Sequence, residues 1–359
     1  MSATVRVQVL GGFLGSGKTT AVIALARHFT RQGYHVAAIT NDHGDIGFDA
    51  QTIRAESIDA REISEGCLCC RFQDFLYAAD NLLENVKPDI VLAEPVGTCL
   101  YLPRGLLLPL SRYARERYTV GPLSVLVDPH RFRSMISGHD FDPSVRYLFE
   151  QQLGEADILV INKSDTLSPS DCEQLMKDIS ARYPKASVHV ISALRGDGIE
   201  EWATNLLETA WEESKGDDSR ADYEEYRRAE STLGYLDAIV KWESSNDLDT
   251  VALARGTIAL LQHRLNGLGV PVAHMKMAVV SAKNSFRVHW IAHEDPEWID
   301  LPPGPVTENS MIVTIRAQGD PEQIEGLFKS TVRDVSNVQH VEPLFESVTA
   351  FRPWPPTVQ

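Results

Sequence analysis

The chain has few cysteines, no surplus of positive charge and no long apolar run, and each shortage removes a class of function. Among 359 residues, 34 Lys+Arg stand against 50 Asp+Glu, a formal charge of −16. Such a balance repels a phosphate backbone and argues against a general nucleic-acid binder. No stretch approaches the roughly 18–20 uninterrupted apolar residues of a membrane span, so no membrane partner is expected. The opening MSATVRVQVLGGFLG shows no cleavable signal architecture, because its apolar run passes straight into a glycine loop. The expectation is a cytoplasmic protein whose five cysteines stay reduced, free for metal or catalysis. No internal repeat of fixed period is found.

What is present describes a globular chain. Hydrophobic residues make up 43% and charged residues 23%, values of a soluble protein that buries a real core. Single cores rarely grow beyond roughly 250–300 residues, so two domains are expected. The first 210 or so residues alternate short β-branched runs, at 5–10, 35–40, 89–93, 123–128, 158–162 and 187–192, with longer amphipathic stretches. This predicts an α/β fold, a mostly parallel sheet with helices on both faces, whose carboxyl ends face a ligand crevice. A charged segment over 212–230 reads as a linker or exposed helix. Beyond it, strands over 233–242, 272–281, 286–293 and 310–317 and helices over 248–268 and 321–334 predict a smaller α+β domain. Asp320 is placed to cap the last helix, with proline in its first turn. The expected division is 1–211, 212–230 and 231–359.

After the first strand, Gly12-Phe13-Leu14-Gly15-Ser16-Gly17-Lys18-Thr19 fits G-x-x-x-x-G-K-[ST] and runs into a helix-forming segment. Its glycines let backbone N–H groups converge on phosphate oxygens, Lys18 can reach the β and γ phosphates, and Thr19 can offer its hydroxyl to Mg²⁺. The base is read from Asn162-Lys163-Ser164-Asp165 at a strand end. An Asp there can accept from both N1–H and the exocyclic amine of guanine, a pairing adenine cannot reproduce. Ser192-Ala193-Leu194 ends the next strand, where a backbone amide can meet the guanine carbonyl. GTP, and GDP as its product, are the expected nucleotides.

Glu94 leaves an apolar strand and is followed by Pro95-Val96-Gly97. It is placed to hold Mg²⁺ through water, and Gly97 can present its N–H to the γ-phosphate. Asn41-Asp42-His43-Gly44-Asp45 lies on the same crevice side, with Asp42 or Asp45 as an Mg²⁺ ligand or water-positioning group. The same residues also make an ordinary turn. No glutamine follows Gly97 closely, so intrinsic hydrolysis is expected to be slow.

Three of the five cysteines form Cys67-Leu68-Cys69-Cys70, in the part of a GTPase that usually responds to the γ-phosphate. Three thiolates suit zinc and related transition ions, and three is one short of a closed tetrahedron, which leaves the open position a transfer site needs. A structural zinc with a distant fourth ligand, or a buried or redox-active thiol group, is the competing reading. Cys99 could join the site, although a small buried thiol is the plainer reading. Cys172 reads as incidental. His43 is a weak candidate ligand, and His289 with His293 reads as structural.

The set GGFLGSGKTT, NDHGDIG, EISEGCLCC, LAEPVG, NKSD and ISALRGDGIEEW, in this order, resembles the CobW-type family of P-loop GTPases, related to the nickel-insertion GTPases of hydrogenase and urease maturation. The resemblance covers about residues 5–210. It implies a cytoplasmic, GTP-dependent metallochaperone that delivers a transition metal, zinc or cobalt before nickel, to a client metalloprotein, with a homodimer left open. Carried over by position, Cys67, Cys69 and Cys70 would be metal ligands, Gly15 to Thr20 would hold phosphates, and Asn162, Lys163 and Asp165 would hold guanine. The chain departs from the family's pattern in reading NDHG for an NEFG-like switch and EPVG for an ETTG-like turn, and in having no histidine-rich stretch. Two rival functions are a GTP- and metal-responsive interaction module without transfer, and a small-molecule kinase with a structural zinc.

Overall fold

Short runs of valine, isoleucine and alanine, too brief for helices, build the sheet that carries the motifs. The structure is a computed structural model that describes residues 4–41, 48–63, 66–138, 141–213, 222–243, 248–280, 285–291, 296–301 and 309–353. These fall into two compact units, the described residues up to Arg227, and Arg228–Pro353 together with Phe141 and Asp142.

The first unit opens with β1 (Val5–Gly12), α1 (Lys18–Arg31), β2 (Val36–Asn41), α2 (Phe48–Arg54), β3 (Asp59–Ile63), α3 (Phe72–Asn85) and β4 (Ile90–Glu94). It continues through α4 (Leu108–Tyr113), β5 (Tyr118–Val120), β6 (Ser124–Val127), α5 (Pro129–Ser137), α6 (Pro143–Gly154) and β7 (Ile158–Ile161). It closes with α7 (Pro169–Arg182), β8 (Ser187–Val190) and α8 (Ile199–Glu208). The strand order is β3-β2-β4-β1-β6-β7-β8, with β5 beside β1, and every pairing is parallel. Strands β4, β6 and β7 are buried throughout, as a parallel sheet covered on both faces requires. Helix α1 buries Ala21, Val22, Leu25, Ala26 and Phe29, and α8 buries Ile199, Trp202, Ala203 and Leu206, the one-sided stripe of a surface helix. One irregularity sits at the centre. β1 pairs β4 through Arg6–Val9, takes β5 along Val5–Val7, and takes β6 along Leu10–Gly12.

The second unit follows α9 (Tyr223–Thr232), which straddles the division between the two units. It consists of β9 (Leu233–Trp242), α10 (Thr250–Gly267), β10 (Val272–Val280), β11 (Ser285–Trp290), β12 (Glu297–Leu301), β13 (Asn309–Gln318), α11 (Pro321–Val338) and β14 (Pro343–Phe351). Its sheet is antiparallel in the order β12-β11-β10-β13-β9-β14. Leu236, Ala238 and Val240 alternate along β9 to face a core shared with Leu253 and Ile258 of α10 and Ile324 and Phe328 of α11. Asp320 caps α11 by accepting from the N–H groups of Glu322 and Gln323, as its position before Pro321 predicts.

Four strands escape the apolar pattern. β3 reads DAREI and lies at a sheet edge, where charge is common. β5 has three residues, β12 is a short edge strand, and β14 is largely exposed. Of the charged segment, 214–221 lies outside the described residues and the remainder supplies α9.

On the sheet face opposite that core, Arg316 Nη1 donates to Asp237 Oδ1 at 2.6 Å, with side-chain exposures of 6% and 4%, and its guanidinium lies 4.4 Å from the centre of the Tyr235 ring. Removing one member of a buried ion pair strands the other charge. Asp237→Ala is expected to cost about 3–5 kcal/mol, read as a lowered urea midpoint, and joint replacement by Asp237→Leu and Arg316→Met is expected to recover most of it.

Candidate functional site

The parallel sheet brings the loops after β1, β3, β4, β7 and β8 to one edge, and the described motif residues lie on those loops. In the loop after β1, Gly15 and Gly17 adopt left-handed conformations, φ 82° and 86°, which glycine alone enters without strain. At Gly12 a Cβ would stand 2.7 Å from the Leu126 carbonyl oxygen and 2.8 Å from Ser16 Oγ. The loop is therefore wound so tightly that only hydrogen fits. Ser16 Oγ is buried with no hydrogen-bond partner among the described residues, an unmet bond that a phosphate oxygen would satisfy. Lys18 Nζ donates to the Gly12 carbonyl at 2.9 Å, folded over the loop where an anion would sit.

Next to it, Thr19 Oγ1 lies 3.1 Å from Asp49 Oδ1 and 3.0 Å from Glu94 Oε1, all three side chains being buried. One hydroxyl proton cannot serve two carboxylates at once. Two buried acids and a hydroxyl form an all-oxygen set that fits Mg²⁺. Glu94 ends β4. Asp49, on α2, carries no motif and is the acid that sequence reasoning misses. The expected Asp42 and Asp45, like His43, lie outside the described residues.

On the other side, Asn162 acts as a brace. Its Nδ2 donates to the Ser16 carbonyl at 2.9 Å and its Oδ1 accepts from the Ala193 N–H at 3.0 Å, tying the loops after β1, β7 and β8 together. Gly17 abuts it, since a Cβ there would stand 2.4 Å from Asn162 Nδ2. Lys163 takes a left-handed conformation, φ 56°, and its Nζ pairs with Asp128 Oδ2 at 2.5 Å. Burial opposes ionisation of Asp128, but the Lys163 ammonium and the Arg131 N–H outweigh it and hold the carboxyl below its usual range. Asp165 accepts from Ser192 Oγ at 2.6 Å, with Arg195 Nε 3.9 Å from its other oxygen. Leu194 is exposed. Asp165 and Ser192 are thus brought together from successive strand ends.

The thiols converge on the β2 side. Asn41, the last residue of β2, donates to the carbonyls of Ile63 at 2.8 Å and Gly66 at 2.6 Å, and accepts from the Leu68 N–H at 3.0 Å. One buried amide therefore holds the cysteine loop at three points between Ile63 and Leu68. Cys67 Sγ lies 2.8 Å from Cys69 Sγ and 3.1 Å from Cys70 Sγ, and Cys69 Sγ lies 3.8 Å from Cys70 Sγ. Gly105 makes room for Cys69, because a Cβ at 105 would stand 2.8 Å from the Cys69 carbonyl oxygen.

Cys99 Sγ stands 3.2 Å from Cys69 Sγ, and the sulfurs of Cys67, Cys69 and Cys99 all lie within 4.8 Å of one another. Cys99 is indeed buried, as its plainer reading has it, but it is buried against the cluster. Burial opposes its ionisation, yet hydrogen bonds from Cys67 and Cys69 bring it down to about 6. Shared hydrogen bonds with Cys67, Cys70 and Cys99 push Cys69 well up. A donor set of sulfur alone fits a soft or borderline transition ion and disfavours Mg²⁺ or Ca²⁺. Cys172 lies in α7. His289 stacks on His274, ring centres 5.9 Å apart, while His293 lies outside the described residues.

The sequence profile described as "CobW/HypB/UreG, nucleotide-binding domain" matches residues 6–190. A protein named zinc chaperone CobW from Pseudomonas aeruginosa is 29% identical over 224 residues, 54% of this chain and 58% of that one. A protein of the same name from Sinorhizobium is 31% identical over 213 residues, 53% of this chain and 59% of that one. Zinc chaperone YeiR of Escherichia coli is 30% identical over 174 residues, 48% and 50% of the two chains. The chain thus spans about half the length of these curated relatives.

Two outcomes are expected. Asp49→Asn should weaken nucleotide binding in Mg²⁺ several-fold and leave binding in EDTA unchanged, as read by titration with a fluorescent guanine nucleotide. The Asp128 carboxyl is lowered in the fold, so its ion pair contributes fully above the unfolded value of about 3.9 and is lost as the pH falls through the folded value. Thermal midpoints of the wild type and Asp128→Asn should differ at neutral pH and converge in acid.

Proposed function

The chain belongs to the CobW/HypB/UreG family of nucleotide-binding proteins, and from that membership we propose that it is a GTP-hydrolysing metallochaperone which carries zinc or cobalt on Cys67, Cys69 and Cys70 and passes it to a client protein. The observation that carries this reading is the suspension of two sites from adjacent strands of one rigid sheet. The cysteine loop is clamped by Asn41 at the end of β2, and Glu94 beside Thr19 ends the neighbouring β4. A change at the phosphates therefore lies one strand away from the thiols.

In this reading Gly12 to Thr20 hold the phosphates, with Lys18 on the β and γ groups and Gly97 donating its N–H to the γ-phosphate. Mg²⁺, held by Thr19, Asp49 and Glu94 with Asp42 as a further candidate, supplies charge neutralisation at the phosphates when bound. Asp165 accepts from guanine while Lys163 and the 192–194 turn frame the ring, and Asn162 keeps base and phosphate loops in register. Asp42 or Asp45 orients the attacking water, which takes the γ-phosphoryl group and leaves GDP and phosphate. Thr98 follows Gly97 where signalling GTPases have a glutamine, which supports slow intrinsic turnover. The names of the relatives support zinc as first cargo. We place the GTPase domain at 1–211, the linker at 212–230 and a client-facing domain at 231–359, in a protein of the cytoplasm.

The test is zinc release from the loaded protein to a chromogenic chelator. GTP should speed release over a non-hydrolysable analogue, and the metal dissociation constants of the GDP and GTP-analogue states should differ. Equal constants and equal release rates would sink the proposal. Asp165→Asn should exchange guanine preference for xanthosine preference in a nucleotide competition assay, by loss of at least tenfold in GTP affinity, about 1.4 kcal/mol.

A further inference from the structure

Cys99 belongs to neither the phosphate loop nor the C-x-C-C segment, yet its sulfur touches the cysteine cluster. We propose that Cys99 is the fourth ligand of the metal site, which closes it as a four-thiolate tetrahedron and makes one short loop, Glu94 to Cys99, serve both the nucleotide and the cargo. The proposal rests on the metal-carrying reading above and identifies the residue that links its two halves.

Geometry is the first support. A tetrahedron with metal–sulfur bonds of about 2.3 Å has edges of about 3.8 Å. The sulfur separations are 2.8 Å for Cys67–Cys69, 3.1 Å for Cys67–Cys70, 3.2 Å for Cys69–Cys99 and 3.8 Å for Cys69–Cys70. Opening the three short edges among these four by about 1 Å or less reaches the tetrahedral spacing. Cys67, Cys69 and Cys99 are also the group of His, Cys, Asp and Glu side chains that converges closely enough for a metal among the described residues; Cys70 falls outside it, so its sulfur must turn toward Cys99 for the four to close on one ion. No carboxylate or imidazole is needed to complete the set.

The aim of the Cys99 side chain is fixed by its surroundings. Gln152 of α6 is buried, and its Nε2 donates to the carbonyls of both Gly97, at 2.9 Å, and Cys99, at 3.1 Å. The same loop lies directly on the phosphate loop. A Cβ at Gly97 would stand 2.9 Å from the Leu14 backbone nitrogen and 2.7 Å from Leu14 Cδ2. Only Thr98 lies between Gly97 and Cys99, so a displacement of Gly97 by a γ-phosphate is carried to the metal through one short stretch of backbone. With Cys99 bound, the site is closed in the manner of a storage site. With Cys99 withdrawn, three thiolates and an open position remain, the form in which an incoming ligand can take the ion.

The experiment uses the full-length, reduced, nucleotide-free protein and cobalt(II) and zinc as probes. Zinc-edge X-ray absorption of the wild type should require four sulfur neighbours at about 2.3 Å; three sulfurs with one lighter atom overturn the proposal without any mutation. In cobalt titrations, Cys99→Ser should lose about a quarter of the sulfur-to-metal charge-transfer intensity, four thiolates becoming three, and the ratio of metal dissociation constants between the GDP and GTP-analogue states should collapse toward one. A C99S spectrum and ratio equal to those of the wild type overturn the proposal. Cys67→Ser separates the two readings. If it abolishes cobalt binding while Cys99→Ser changes nothing, the metal site stands and only the role of Cys99 fails; if neither variant alters the cobalt spectrum, the metal-carrying reading itself falls.

Discussion

Every pairing in the N-terminal sheet is parallel, and the rest of the molecule's chemistry depends on that constraint. Parallel strands all end at the same edge, so segments far apart in sequence are delivered to one rim without any of them being long. The rim is then tied laterally by two buried amides. Asn162 joins the loops after β1, β7 and β8, and Asn41 joins the cysteine loop, from Ile63 to Leu68, to β2. An amide can donate and accept at once, which a carboxylate or an ammonium cannot, and that is why a neutral side chain occupies both junctions.

Close approach of backbones is the second recurring device. Gly12, Gly17, Gly97 and Gly105 each lie where a single methyl would collide with a neighbouring segment, strand β6 at Gly12 and a neighbouring loop at the other three. Together they let the phosphate loop, the Glu94 loop and the cysteine loop stack with almost no side-chain padding. Packing at that density transmits displacement, because no soft layer absorbs it.

Local chemistry was legible in the sequence and distant contact was not. The phosphate loop is readable because eight consecutive residues determine its winding, and the β-branched runs are readable because burial on both faces demands them. Asp49 is invisible because an acid on a short helix has no spacing signature, and its role arises only from its position across from Thr19. Cys99 and Cys69 are thirty residues apart, and no local pattern ties them. Asn162 is readable as part of a guanine motif, but its hold on Ser16 comes only with the fold. The charged β3 and the exposed β14 fail the apolar pattern for a physical reason, since edge strands bury one side at most.

The uneven pairing of β1 has a mechanical meaning. Its ladder with β4 ends at Val9 and Ala93, whereas Leu10–Gly12 continue alongside β6. The last stretch of backbone before the phosphate loop is therefore laced to the half of the sheet that carries Asn162 and Asp165 and unlaced from the strand that leads into the Glu94–Cys99 loop. A seam runs between the two at the rim. Past Val9 and Ala93 no β1–β4 rung remains to be broken, so the two strand ends can part at the rim while the Arg6–Val9 ladder below them stays intact.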